Sequence, residues 1–168
     1  VAFGEAGEIS RNIAETAFSN AVIIPGETTL ENVAWWMMDR LLDKGLGSSF
    51  DMPSVYITGP SGIEATSNER IIQRGDLLMI DWGVGYLNFY TDLKRIGYVL
   101  KEGETAVPQG LQNAFDQARA ARDVIRKNIR PGPTASETFD LLNNQLEEAG
   151  FAVMDTFNQP SDGERTDV

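Results

Sequence analysis

Two copies of one short pattern, about 106 residues apart, constrain the fold of this chain more than any other feature. Each copy has a Pro-Gly corner, then a threonine with a glutamate three residues later, and then a glycine. The Thr-x-x-Glu spacing is a capping box that begins a helix, and a glycine after an apolar run ends one. The pattern therefore predicts a helix, a corner and a capped helix in each copy. It consists of Pro25-Gly26, Thr28, Glu31 and Gly45 in the first copy, and of Pro131-Gly132, Thr134, Glu137 and Gly150 in the second.

Apolar periodicity and turn residues predict the other elements. A helix of about 12 residues is expected before the first corner, because small and apolar residues recur every fourth position at Ile9, Ile13, Ala17 and Ala21. A long helix between Pro108 and Arg130 is expected to turn its apolar positions inward. Strands are predicted at Ser54–Thr58, Leu77–Trp82 and Tyr90–Leu100.

The duplication also predicts the domain organisation. The first repeat covers about residues 9–100 and the second about 108–168. Since the first repeat continues into strands, the second is expected to do so at about residues 160–206. Residues 1–168 are therefore interpreted as a single partial domain with a truncated second repeat.

The hairpin between the last two predicted strands is the segment most suggestive of chemistry. An apolar strand that begins after Gly75-Asp76 ends on Asp81, and a carboxylate is costly there unless something binds it. Asp92 begins the returning strand. A two-residue turn at Tyr86-Leu87 would place Asp81 directly opposite Asp92, with Cβ atoms about 4.5–5.5 Å apart. A divalent cation between the two carboxylates would remove their repulsion.

An ordinary solvated surface is the alternative for this pair. Two exposed aspartates whose charges are softened by Lys94 and Arg95 would need no metal. The apolar strand that leads into Asp81, and the glycines Gly75 and Gly83, favour the metal site instead.

Composition excludes several classes of function. The chain has 14 basic and 25 acidic residues, a net charge of −11, which opposes binding to nucleic acid. It has no cysteine and no histidine, so disulfides, thiolate chemistry and imidazole catalysis are excluded for these residues. No run approaches the roughly 20 apolar residues of a membrane span, and the first residues lack the pattern of a signal peptide. A cytoplasmic location is the default expectation.

The hairpin resembles the signature of the family M24 metallopeptidases, which include methionine aminopeptidase, aminopeptidase P and prolidase. The resemblance rests on Gly75-Asp76, the apolar run, Asp81-x-Gly83, and Asp92 followed by Arg95. The segment from Ile24 to Glu31 resembles the first-helix corner of the family, and the internal repeat matches its pseudo-twofold duplication. The hairpin motif is closer to that of aminopeptidase P and prolidase than to that of methionine aminopeptidase. This resemblance implies an α+β pita-bread fold, a curved antiparallel sheet with helices packed on one side.

The resemblance also implies a function. It implies a metal-dependent aminopeptidase or dipeptidase of the Xaa-Pro type, which hydrolyses an N-terminal peptide bond with metal-activated water. Asp81 would ligate one metal ion and Asp92 would bridge two. Mn²⁺ is favoured by carboxylate-rich ligation, with Co²⁺ or Zn²⁺ as alternatives. The implied partner is a peptide substrate.

Two departures from the family pattern keep other readings open. The family's further ligands, one histidine and two glutamates, would follow Val168. No catalytic or substrate-binding residue is therefore identified in this chain. The 168 residues alone are expected to be inactive. An unpaired sheet edge would favour a homodimer. The family's upstream histidine is absent from the window Pro60–Ile63. A catalytically inactive pita-bread module that binds protein or peptide is therefore the alternative, and a creatinase-like hydrolase ranks last.

Overall fold

The computed structural model describes residues 1–59 and 62–153 of the 168-residue chain. They form two compact units, with the boundary between Val107 and Pro108, where the second repeat was predicted to begin. The strands predicted at about 160–206 lie outside the described residues. None of the helices in the described ranges is both long enough and apolar enough to span a bilayer.

Within the described residues, the first unit contains two helices and seven short strands. The helices are α1 (Ala2–Ala17) and α2 (Leu30–Leu42). The strands are β1 (Gly47–Ser48), β2 (Ser54–Gly59), β3 (Gly62–Glu64), β4 (Leu77–Trp82), β5 (Val84–Tyr86), β6 (Phe89–Tyr90) and β7 (Leu93–Tyr98). All strand pairs are antiparallel, in a four-stranded sheet of order β3-β2-β4-β7 and a three-stranded sheet of order β1-β5-β6.

The two faces of the larger sheet differ. Along β4, Leu78, Ile80 and Trp82 are buried, whereas the residues between them are only partly buried. The buried side chains of β2 and β4 belong to one cluster with α1 and α2 residues such as Ile13 and Leu30. A slip by one residue would turn every inward side chain outward, at about 1.5–3 kcal/mol for each large one. This burial fixes which face of β4 carries Asp81, namely the face opposite the helices.

Most predicted elements of this unit are confirmed, with three changes in their bounds. The strand Leu77–Trp82 is confirmed to the residue, and the strand Ser54–Thr58 extends by one residue to Gly59. The first helix begins earlier than predicted, at Ala2, and ends before Ala21. The predicted strand Tyr90–Leu100 is divided into β6 and β7, because Thr91 and Asp92 leave the regular ladder between them.

The predicted capping box of α2 is wrong by one residue. The cap is Thr29, whose side chain accepts a hydrogen bond from the backbone N–H of Asn32, while the Asn32 side chain accepts one from the Thr29 N–H. Thr28 is buried instead, and its hydroxyl accepts from the Ile24 N–H at 2.9 Å. Thr28 therefore stabilises the corner, and Thr29 is the N-cap at which the helix begins.

The second unit contains α3 (Gln109–Asn128) and α4 (Ala135–Glu148), which contact each other. The capping box predicted for α4, Thr134 with Glu137, is confirmed. Hydrogen bonds from the Thr134 backbone and hydroxyl lower the pKa of Glu137. The expected inward face of α3 is not confirmed, because none of its residues is buried within the described part of the chain.

The two capped helices end in the same way, which supports the internal repeat. After α2, the Gly45 N–H donates to Leu42 O and the Leu46 N–H to Leu41 O. After α4, the Gly150 N–H donates to Glu147 O and the Phe151 N–H to Leu146 O. Both glycines have a positive φ, 68° and 86°, the left-handed conformation that ends a helix in this motif. The approximate twofold relation between the copies stays a prediction.

The capping assignment makes a direct prediction for the stability of the first unit. Replacing Thr29 by alanine should lower the free energy of unfolding by about 1 kcal/mol, because the Asn32 N–H loses its acceptor. Thr29→Ser should keep most of the stability. Thr16→Ala, which removes a hydroxyl bonded to Asn12 O near the end of α1, is the matched control and should be neutral or slightly stabilising. Chemical denaturation measures all three, and equal effects of Thr29→Ala and Thr16→Ala would contradict the assignment.

Candidate metal site

The hairpin that carries both aspartates runs from β4 through β5 to a tight turn and returns through β6 and β7. The turn residues are Leu87 and Asn88, with φ of 48° and 62°, and Tyr86 pairs with Phe89 across them. Positive φ at both central positions is the mark of a type I′ turn, whose twist suits a two-residue hairpin. Asparagine tolerates this conformation better than most residues.

The position of the turn changes the predicted register. A turn centred on Tyr86-Leu87, as the sequence predicts, would place Asp81 opposite Asp92. In the structure the residue opposite Asp81 on β7 is Lys94, and the residue opposite it on β2 is Ser54. The predicted direct opposition of the aspartates is therefore wrong, because the turn forms one residue later, where Asn88 accepts a positive φ.

Asp92 nevertheless lies close to the face that carries Asp81. It directly precedes β7, in which Leu93 pairs with Trp82. Asp92 is exposed and acts electrostatically on the ammonium of Lys94, the residue that pairs with Asp81. The two aspartates are thus arranged diagonally across the hairpin, a relation that in regular sheets separates residues by about 7–8 Å.

The two oxygens of the Asp81 carboxylate have different surroundings. The side chain is 19% exposed, and Oδ2 lies 2.7 Å from the Lys94 Nζ. Oδ1 is buried and has no hydrogen-bond partner among the described residues. A buried carboxylate oxygen without a partner costs stability, so Oδ1 fits a ligand that supplies positive charge.

Lys94 is the cation nearest to this carboxylate. The hydrogen bond to Asp81 raises the pKa of the Lys94 ammonium, and Coulombic attraction from Asp81 and Asp92 acts in the same direction against partial desolvation. Both aspartates therefore lie within electrostatic reach of one ammonium group.

A buried hydroxyl network fixes the backbone just before Asp92. The Ser10 hydroxyl donates to Ala6 O at 2.7 Å, so it accepts from the Thr91 hydroxyl, 2.6 Å away. The Thr91 hydroxyl in turn accepts from the Val84 N–H at 2.8 Å. These contacts join α1 to both arms of the hairpin.

Sequence reasoning missed this network, although one signal was present. Ser10 is four residues after Ala6 and three before Ile13, on the buried face of α1. A polar residue on such a face indicates a buried partner. Nothing in the sequence indicated that the partner would be Thr91.

Gly83 allows the two arms to approach closely. A Cβ atom at this position would lie 1.7 Å from Thr91 O and 2.1 Å from Ser49 Oγ. The Ser49 hydroxyl donates to Thr91 O at 2.8 Å, and the Ser49 N–H donates to Gly83 O at 3.2 Å. Glycine is therefore required here by the close approach of Thr91 O and Ser49 Oγ.

The ligand set within the described residues is incomplete. They contain no group of three or more histidine, cysteine, aspartate or glutamate side chains that could hold a metal ion. Asp81 and Asp92 supply carboxylate oxygens, the donors that hard divalent cations prefer, but two side chains do not complete a coordination sphere.

Gly83→Ala tests the close approach. The added methyl group would collide with Thr91 O, so we expect a loss of about 3 kcal/mol or more of stability, with displacement of Asp92. Gly47→Ala on β1, where a Cβ would meet nothing within 4 Å, is the matched control and should cost far less. Thermal denaturation compares the two, and similar stabilities would show that the arms are not in contact at Gly83.

Comparisons with known proteins indicate the family of this chain. The model of the family described as metallopeptidase family M24 matches residues 2–161. The comparison with curated proteins found no match.

Three solved structures illustrate the likeness. X-Pro aminopeptidase from Thermotoga maritima is 20% identical, with a TM-score of 0.65 over 87% of this chain and 40% of its own. Prolidase from Pyrococcus furiosus is 21% identical, with a TM-score of 0.64 over 86% and 41%. Xaa-Pro dipeptidase from Bacillus anthracis is 23% identical, with a TM-score of 0.63 over 87% and 39%. The chain thus spans about 40% of the length of these structures.

The likeness confirms the predicted fold class, since the helices and antiparallel strands match part of the pita-bread fold. The family model extends over nearly all of the sequence, including the hairpin with Asp81 and Asp92. The chain belongs to metallopeptidase family M24.

Proposed function

We propose that this chain forms part of a metal-dependent peptidase of the Xaa-Pro type, with Asp81 and Asp92 among its metal ligands. Family membership supports a peptidase, and the named activities of the three similar structures support a substrate with proline after the scissile bond. The observation that carries the metal site is the Asp81 Oδ1 atom, which is buried and has no hydrogen-bond partner among the described residues.

Each residue of the hairpin has a distinct task in this proposal. Asp81, at the end of β4, would offer its unpartnered oxygen to one ion, and Asp92 would bridge two. Thr91 holds the backbone of Asp92 through its bonds to Ser10 and Val84. Gly83 keeps the opposite arm close enough for this contact.

Two divalent ions are proposed, with Mn²⁺ favoured because carboxylates are hard oxygen donors, and Co²⁺ or Zn²⁺ as alternatives. When bound, such ions polarise a carbonyl and lower the pKa of a water molecule toward about 7. The acidic residues named here would hold the ions in place, and the peptide would be the partner. Further ligands would be required, because a dinuclear site needs more groups than two carboxylates.

Metal titration tests the ligands. The 168-residue chain is expected to bind Mn²⁺ weakly, and Asp81→Asn and Asp92→Asn should each abolish that binding by removing a charged oxygen donor. Asp39→Asn, an exposed aspartate of α2, is the matched control with the same change in charge and should bind like the wild type. Isothermal titration calorimetry measures the affinities. Equal binding by all four proteins would contradict the assignment of Asp81 and Asp92.

Peptide hydrolysis tests the activity itself. The 168 residues alone should not cleave a Xaa-Pro dipeptide, since their ligand set is incomplete. The native polypeptide that contains this sequence should cleave it with added Mn²⁺ and lose at least about 100-fold in rate with either Asp81→Asn or Asp92→Asn. Metal-independent cleavage, or full activity of both variants, would refute the proposal.

A further inference from the structure

Lys94 occupies the place that the hairpin register gives it, directly opposite Asp81. Its ammonium lies 2.7 Å from Asp81 Oδ2, and its side chain is 58% exposed, compared with 19% for that of Asp81. The cation is therefore in contact with a proposed metal ligand, while most of its own side chain is in solvent.

The contact leaves the two oxygens of the Asp81 carboxylate in different surroundings. Oδ2 has the ammonium, whereas Oδ1 is buried without a hydrogen-bond partner among the described residues. Asp92 attracts the same ammonium. The ion pair of Lys94 is thus with Asp81, and Asp92 adds an attraction at longer range.

We propose that Lys94 is a tethered cation that neutralises the Asp81–Asp92 pair when no metal is bound, and that a divalent metal ion must compete with it. The inference rests on the proposed function, because it assumes that these aspartates bind metal. It adds Lys94 as a residue that lowers the affinity of the site for a divalent metal ion.

The charge and the exposure of Lys94 both support competition between its ammonium and a metal ion for Asp81. A metal ion that takes both oxygens of Asp81 must displace the ammonium from Oδ2, and one that takes Oδ1 alone is repelled by a positive charge a few ångströms away. Because the Lys94 side chain is more than half exposed, it loses little packing when it turns into solvent. The exchange therefore needs no rearrangement of the sheet.

A plain surface ion pair is the competing explanation. Exposed salt bridges contribute little to stability and would have no specific effect on metal affinity. The two explanations differ in what happens when the charge is removed and the aliphatic chain is kept.

Lys94→Met provides that change, since methionine keeps an unbranched apolar stem. Calorimetric titration with Mn²⁺ should show roughly tenfold tighter binding than wild type, because the competing charge is gone. Lys94→Arg keeps the charge and should bind no more tightly than wild type. Lys44→Met, at an exposed lysine after α2, makes the same change in net charge away from the site and should bind within about twofold of wild type.

Thermal denaturation in chelator gives a readout that needs no metal. Lys94→Met should melt at a lower temperature than wild type and than Lys44→Met, because the two aspartates lose their shared cation. Added Mn²⁺ should raise its melting temperature by more than that of wild type. If Lys94→Met does not fold, Lys94→Gln provides the same comparison.

The outcomes separate the inference from the proposed function. If wild type binds Mn²⁺ and folded Lys94→Met binds no more tightly, the inference is overturned and the metal site stands. If none of the proteins binds Mn²⁺, the metal site is refuted and the inference fails with it. Tighter binding by Lys44→Met as well would show a general effect of net charge and would also overturn the inference.

Discussion

The contact between the hydroxyls of Ser10 and Thr91 is the interaction on which the arrangement of the acidic hairpin depends. It joins helix α1 to the returning arm of the hairpin at 2.6 Å, inside the unit, where an unmatched hydroxyl would be costly. Thr91 also accepts from the Val84 N–H, so a single side chain connects α1 and the two arms. Asp92 is the next residue, and its backbone position follows from this buried bond rather than from regular strand pairing.

Charge placement on the open face follows from the core and from the turn of the hairpin. The core fixes the face of β4 that carries Asp81, and the turn at Leu87-Asn88 fixes the register that sets Lys94 opposite it. The outcome is two carboxylates and one ammonium on a surface whose reverse side is packed against helices. Of these three charges, only the ammonium is on a long flexible side chain. It can therefore change position while the packed sheet that carries it does not.

Sequence reasoning predicted the fold well where one physical signal dominated. The apolar run that begins β4 and the capping box at Thr134 each had one favourable interpretation, and both elements are confirmed. It was wrong where two solutions lay one residue apart. Either Thr28 or Thr29 could be the N-cap of α2. Thr29 is the cap because the Thr28 hydroxyl accepts a hydrogen bond from the Ile24 N–H in the buried corner.

The sequence indicated candidate ligands, which stay a prediction, but it did not indicate their geometry. Asp81 followed from the cost of a carboxylate at the end of an apolar strand, yet the turn was placed one residue early because the tolerance of Asn88 for positive φ was not weighed. The Ser10–Thr91 bond joins residues far apart in sequence, and no local pattern encodes such a pairing. For the same reason the position of Lys94 opposite Asp81 emerged only from the register.

The most direct test of this account is paramagnetic broadening of backbone amide signals by Mn²⁺. If Asp81 and Asp92 share one cation site, the amides of both residues and of Lys94 should broaden together at the lowest Mn²⁺ concentrations. Amides of Met37 and Leu41, in the buried face of α2 on the other side of the sheet, should stay sharp at those concentrations. Broadening that begins at only one of the two aspartates, or first at another acidic cluster, would contradict the claim that the hairpin brings them to a common site.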